Sequence, residues 1–525
     1  MRKTVKKLTA VGLTVTSVLG LVACGSSKGT TSQGTSENKE VTKPDTFTVM
    51  CDGTVVTETN GAEAFYKQLN EATGLDIKWT RPDHASYYDA VANAFNSDDT
   101  MPDVVLLSSD YYALYASNGF LWNMTDAWEH SETKNSGRLI STADNVLSAL
   151  MVNGEDGTKA MYGLSLYRGN GCCTYVKKAW LDKAGIDASK VKDVQMDFNT
   201  YYGYLKQMAQ TMGHYVISSP GFIHPEAPNT NYLPEFYQKA QYTFYKDTSG
   251  KYVDGFAQPE MKEALQRIQT AVNDGVIDKE SVNNSTSNAR DKFYSTDPST
   301  ETGVFSYWAG TWANTLKTNL ANKGLDDELI AIKPIKELGA YTERIAPCWC
   351  ITSAAKNPEG IFKYFIDKML DGGDVQMLWT HGAKGTHWDD KAETVTVQKK
   401  EDQPKTYTDG QFHYLPGIEK PDQWQTKNHI DPILSIANFT NGYVGESLIP
   451  EVARENGEFF AENSQVAVPL PMTSELSNNI GDINTARTYV IAQVALGYMT
   501  VDEGMDYYNK TVGSLSNAVL KSLNK

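Results

Sequence analysis

The chain lacks most sequence marks of a catalyst. No P-loop, GxGxxG, HExxH or GxSxG run occurs in its 525 residues, so nothing supports nucleotide, zinc-peptidase or serine-hydrolase chemistry. Its 8 histidines are scattered without metal-ligand spacing. No catalytic residue, metal or cofactor is therefore expected. Basic residues are in deficit: 48 Lys and Arg face 64 Asp and Glu, a formal charge of −16. A surface of that sign disfavours nucleic acid and anionic lipid as partners. After Ala23 no apolar run approaches the roughly 20 residues that a membrane helix requires. Cysteine is also scarce, at 6 residues. Setting Cys24 aside leaves Cys51, Cys172, Cys173, Cys348 and Cys350, an odd set that cannot pair completely within the chain. Neither Cys172-Cys173 nor Cys348-Trp349-Cys350 has the two-residue spacing of a zinc or thioredoxin site. These thiols read as small buried hydrophobes.

The amino terminus is better defined. Arg2, Lys3, Lys6 and Lys7 precede an uncharged run from Leu8 to Ala23, too short and too rich in Thr and Gly to span a bilayer. Leu21-Val22-Ala23-Cys24 resembles the lipobox of bacterial lipoproteins, whose signal is cut before a cysteine that carries lipid. Residues 1–23 are then a signal peptide and Cys24 the lipidation site. Losing four cations takes the charge from −16 to −20. Gly25–Lys39 has no apolar side chain to bury, so 24–41 reads as a lipidated cysteine and tether. The expected location is the extracellular face of the membrane, reached by the lipid alone.

About 500 residues remain, more than one core usually serves, and two or more lobes are expected. Strand and helix patterns alternate, which argues α/β layers. Thr46–Cys51, Leu75–Trp79 and Val104–Leu107 read as strands, and Ala62–Thr73 as a helix stopped by Gly74. Helical stripes at Tyr201/Leu205/Met208/Met212, Leu265/Ile268/Val272, Ile361/Phe365/Met369 and Tyr489/Ala492/Leu496 are read as core packing. Lys246–Asp254 fits a hairpin around Ser249-Gly250 and fails the ligand spacing of an EF-hand. The heavy use of Tyr (29) and Trp (10) supplies flat apolar faces with polar edges, which suit sugar rings as well as protein cores.

Several segments in order resemble the family 1 extracellular solute-binding proteins. They are most similar to the long lipoprotein subgroup of Gram-positive bacteria that delivers oligosaccharides to ABC importers. The segments are Met101–Asp126, Gly157–Gly163 with Tyr175–Ile186, Asn273–Asp278 with Gly303–Trp312, Lys356–Glu359, Gly382–Trp388 and the tail Ile483–Tyr508. Pro347-Cys348-Trp349-Cys350 departs from the pattern, standing where glycines are common in the family. The resemblance implies a two-lobed periplasmic-binding-protein-like α/β fold of type II, with discontinuous lobes joined by hinge strands. Lobe 1 is placed at 42–165 plus 338–417 and lobe 2 at 166–337 plus 418–525, with crossings near Tyr162–Ser165 and Lys333–Glu337. The implied partners are an oligosaccharide and ABC transporter permease subunits, and a monomer is expected. A surface glycosidase or lyase with paired carboxylates, or a peptide-binding lipoprotein of the same fold, stands as the alternative.

Ligands of open α/β sheets lie beyond the carboxyl ends of strands. Asp52 follows the first strand, and Asp110 and Tyr111 follow Val104–Leu107; the carboxylates are expected to accept from sugar hydroxyls and Tyr111 to stack or donate. Asp110 also suits a helix cap and Asp52 a turn. Trp312, in Gly310-Thr311-Trp312, matches the family's turn whose indole stacks on sugar, with Trp308 supporting it. Trp349, Arg168 and Asn170 complete the candidates, all placed near the crossings. Trp180 reads as structural, and His387 and Trp388 as holding a loop.

Overall fold

The computed structural model describes residues 41–53, 62–83, 86–137, 139, 143–165, 169–223, 231–325, 327–386, 388–389, 393–395, 405–407, 413–414, 451–467, 470–471 and 473–525. The signal, Cys24, the tether, Arg168, His387 and the boundary at 417 lie outside them. In chain order the framing strands are β1 (Thr46–Met50), β2 (Asp76–Thr80), β3 (Val104–Leu107), β4 (Gly163–Leu164), β5 (Cys172–Lys177), β6 (Val304–Trp308), β7 (Leu329–Ala331), β8 (Tyr341–Glu343), β9 (Cys348–Ile351) and β10 (Ser464–Val466).

The first lobe is built on a sheet of order β2-β1-β3-β9-β4. β1 runs parallel to β2 and β3. Such pairs need crossover helices, and these cover the faces of the sheet. All four residues of β3, VVLL, are buried, as a central strand covered on both sides requires. β9 enters from much later in the chain and pairs antiparallel with β3, Cys348 opposite Leu107 and Ile351 opposite Val104. The lobe is therefore discontinuous in sequence. Its core joins Val49, Phe65, Leu107 and Tyr112 to Ile351, Phe365 and Trp379.

The second lobe carries the antiparallel sheet β6-β5-β7. The helices Phe198–Met212, Pro259–Asn273, Ser474–Ala495 and Val501–Leu523 contribute to its core. Tyr201, Leu205 and Met208 are buried on the first of these, which Gly213 ends at φ 76°. Phe244–Lys246 and Tyr252–Asp254 form the expected hairpin. Trp180 is buried, its indole donating to Glu301 at 3.1 Å.

One stripe departs from expectation. Tyr489 is 40% exposed, and the helix Ser474–Ala495 buries Ile483, Val490, Ile491 and Val494 instead. This aliphatic side faces both Pro259–Asn273 and Val501–Leu523, and the Tyr489 ring meets Tyr507 at 4.9 Å.

The lobes are joined through segments that lie against one another. Residues 169–171 lead from β4 to β5, and β8 leads toward β9. β10 pairs in parallel with β8, Tyr341 opposite Ser464 and Glu343 opposite Val466. The Ala467 amide donates to the Glu343 carbonyl at 2.7 Å and the Ser464 hydroxyl to the Glu343 carboxylate at 3.0 Å. The second crossing lies later than the expected 333–337. Ile332 and Ile335 are sealed in the second core and the chain rejoins the first core at Ile345.

Candidate binding cleft

Three groups of side chains gather around the crossings. From the first lobe, β3 ends at Leu107, and Ser108 takes the cap position of the helix Ser109–Ser117. Asp110 falls in the first turn of that helix rather than at its cap, and its side chain lies outside the description. The Ser108 amide donates to the Tyr88 hydroxyl at 2.9 Å. Tyr88 and Tyr111, both half-buried, lie ring on ring at 3.8 Å and 5°. Burial raises the Tyr88 phenol above its ordinary value, while its bond with Ser108 and the nearby Arg344 guanidinium pull the other way. Asp52 is half-buried just past β1. It adjoins Cys51, whose thiol burial pushes up to about 12.

From the second lobe, β6 ends at Trp308 and the chain turns through Gly310 into the helix Thr311–Asn322. Gly310 has φ 66°, a conformation that side chains disfavour, which accounts for glycine here. Trp312 is half-buried in the first turn and meets Tyr307 edge to face at 5.7 Å. Asn456 holds this turn: its side-chain oxygen accepts from the Gly310 amide at 2.7 Å and from the Tyr175 hydroxyl at 2.9 Å.

The crossings supply the third group. The Asn170 side chain donates to the Ala309 carbonyl at 2.9 Å and accepts from the Gly171 amide at 2.8 Å. It fixes the turn after β6. The Arg344 amide donates to the Asn170 carbonyl at 3.1 Å, and its guanidinium stands 4.4 Å from the centre of the Trp308 indole. Arg344 thus stacks on an aromatic ring of the second lobe, and its charge bears on the Tyr88 phenol of the first.

Trp349 corrects the expectation of a cleft contact. It is 4% exposed and packs against Trp379 at 5.6 Å and Phe365 at 6.1 Å. Alternation along β9, flanked on both sides by strands, turns it into the first core. Cys51, Cys172, Cys173, Cys348 and Cys350 are all buried, and none of them is in a disulfide. Tyr88, Arg344 and Asn456 were missed from the sequence. Tyr87-Tyr88 is an aromatic pair that opens a helix near a strand end, a usable signal. Arg344 and Asn456 have no local pattern; a crossing segment brings the first to the candidate site and the helix Glu451–Asn463 the second.

Among the described residues there is no cluster of potential metal ligands and no helix long and apolar enough to cross a membrane.

No family model matches the chain, and no curated protein is similar to it. Solved structures are. A solute-binding protein of Bifidobacterium longum infantis described as HMO-binding and associated with an ABC transporter superposes with a TM-score of 0.60 at 14% identity, over 91% of this chain and 98% of that one. The N-glycan transport solute-binding protein NgtS of Streptococcus pneumoniae gives 0.58 at 18%, over 91% and 98%. The alginate-binding protein AlgQ2 gives 0.57 at 15%, over 93% and 99%. The chain has the two-lobed fold of the solute-binding proteins. At these identities the likeness is one of fold.

Proposed function

We propose that this protein is a surface lipoprotein, anchored through Cys24, that captures an oligosaccharide between its lobes and hands it to the permease subunits of an ABC importer. The observation that carries the reading is the set of aromatic faces at the cleft: the Tyr88–Tyr111 stack from one lobe, and Trp308 and Trp312 from the other. Flat rings with polar edges suit the C–H faces and hydroxyl rims of sugars. The descriptions of the three structures named above favour the same ligand class.

Trp312 and Tyr111 would stack on sugar rings, while Asp52 and Asp110 accept from hydroxyls. A ligand that bridges the lobes only when they are closed shifts the population toward closure, by as much as it prefers that state. The closed form is what the permease would recognise. In this reading the protein is a monomer that uses no cofactor and makes or breaks no bond.

A thermal-shift screen of the tetherless protein against neutral oligosaccharides, acidic oligosaccharides and short peptides tests this. Ligand at 100 times its Kd adds about 2.7 kcal/mol and raises Tm by a few degrees. Shifts with peptides alone, or release of cleaved glycan in proportion to protein, would overturn the reading.

A further inference from the structure

We infer that Arg344 reads a carboxylate, so that the oligosaccharide this cleft takes is an acidic one. The inference rests on the function proposed above and narrows its ligand class.

The backbone of Arg344 is fixed on both sides. Its amide donates to the Asn170 carbonyl at 3.1 Å, and its own carbonyl is packed against Gly169, where an added β-carbon would lie 1.3 Å from that oxygen. The side chain is positioned as well, with the guanidinium over the Trp308 ring at 4.4 Å. Its charge is felt by the Tyr88 phenol of the other lobe. One face of the Trp308 indole therefore serves the arginine, and Tyr111 and Trp312 are left for sugar stacking.

The contrast with other arginines is informative. Arg487 donates to Asp254 at 2.8 Å, Arg267 to the Phe236 carbonyl at 2.7 Å, and Arg290 to the Tyr307 hydroxyl at 2.9 Å. Among the described residues no hydrogen bond or ion pair engages the Arg344 guanidinium, although it is half-buried. A half-buried guanidinium that makes no hydrogen bond within the fold keeps its N–H donors open to water or to a ligand. Stacking occupies a face of the guanidinium and leaves its in-plane N–H groups available. A carboxylate, the acid group of uronic and sialic sugars, matches this fork with two parallel hydrogen bonds; a sugar hydroxyl offers a single oxygen.

Calorimetry with matched glycans tests the inference: a galacturonate tetrasaccharide against its carboxyl-reduced form, and sialyllactose against lactose. An acidic member is expected to bind at least about tenfold more tightly than its neutral counterpart, with affinity that falls as salt rises. Arg344→Gln is expected to weaken the acidic ligand by about tenfold to a hundredfold and the neutral one by less than about twofold. Arg344→Lys, which keeps the charge and loses the fork, should fall between them. Tm of each variant within a few degrees of the parent excludes unfolding as the cause. Neutral members binding as tightly as acidic ones, or equal losses on both in Arg344→Gln, would overturn the acidic assignment and leave the oligosaccharide reading in place. Binding of no glycan in the set would overturn both.

Discussion

A β-carbon on Gly169 would lie 1.3 Å from the carbonyl oxygen of Arg344, and one on Gly171 would lie 2.0 Å from that of Thr342. Two crossing segments thus touch backbone to backbone, with no room for a side chain between them. Glycine is required here by close approach, since neither residue has positive φ.

Gly169→Ala and Gly171→Ala are expected to force the crossings apart. Each should lower stability by about 1–3 kcal/mol or more, as overpacking against backbone does, and weaken ligand binding by misaligning the lobes. Gly203→Ala is the control. Gly203 is exposed in the helix Phe198–Met212 and has no neighbour within 4 Å of an added β-carbon. Alanine there should stabilise by roughly 0.5–1 kcal/mol. Urea unfolding of the three variants separates the effects.

These glycines mark the limit of what was legible in the sequence. Local patterns were sufficient for β1, β3, the buried stripe Tyr201/Leu205/Met208 and the hairpin at Ser249-Gly250, because each depends on neighbours a few residues apart. The order of the chain segments was sufficient for a two-lobed fold. Placement of the second crossing was not legible, since Lys333–Glu337 carries no mark that Ile335 is still sealed in a core. Nor was the burial of Trp349, which depends on β9 being flanked by β3 and β4 from far upstream. Tyr88, Arg344 and Asn456 join the candidate site only through contacts that span the fold.

Glu235 should impose a pH dependence on stability. It is 1% exposed in the second lobe and accepts from the Thr174 hydroxyl at 2.8 Å and, across to β8, from the Tyr341 hydroxyl at 3.3 Å. Burial raises its carboxyl from 4.5 to about 7, against the pull of those hydroxyls. Below pH 4.5 both folded and unfolded chains hold the proton, and nothing is lost. Between 4.5 and about 7 the unfolded chain releases it while the folded chain retains it, so stability falls as pH rises. Above about 7 the deficit is constant, on the order of 3 kcal/mol. Glu235→Gln should abolish this component, so the Tm difference between variant and parent should grow in the variant's favour from pH 4.5 to 7 and then level off.

Arg487 and Asp254 form a buried ion pair that pins the carboxyl-terminal helices to the hairpin. Arg487 is fully buried and donates to Asp254 at 2.8 Å, and the same carboxylate accepts from Tyr508 at 2.7 Å and Ser516 at 2.5 Å. The guanidinium also lies 5.0 Å from the centre of the Phe244 ring. Arg487→Met or Asp254→Asn alone leaves a charge without its partner and is expected to cost roughly 3–5 kcal/mol. The double variant should be less destabilised than the sum of the two. Urea unfolding of the four proteins gives the coupling energy directly, and simple additivity would show that the pair does not act as a unit.

Trp312 and Trp349 should separate binding from folding. Trp312 is half-buried at the start of a helix and belongs to the proposed cleft, and Trp349 is sealed against Phe365 and Trp379. Trp312→Ala removes a stacking face and little core, so it should weaken oligosaccharide binding by at least about tenfold while Tm moves by only a few degrees. Trp349→Ala opens a cavity in the first lobe and should cost about 3–5 kcal/mol in stability. The fraction that remains folded should bind with affinity close to the parent, because Trp349 does not reach the cleft. Calorimetry on protein whose folded fraction is set by circular dichroism checks both outcomes. Unchanged affinity in Trp312→Ala would remove that residue from the site, and a selective loss of affinity in folded Trp349→Ala would return Trp349 to it.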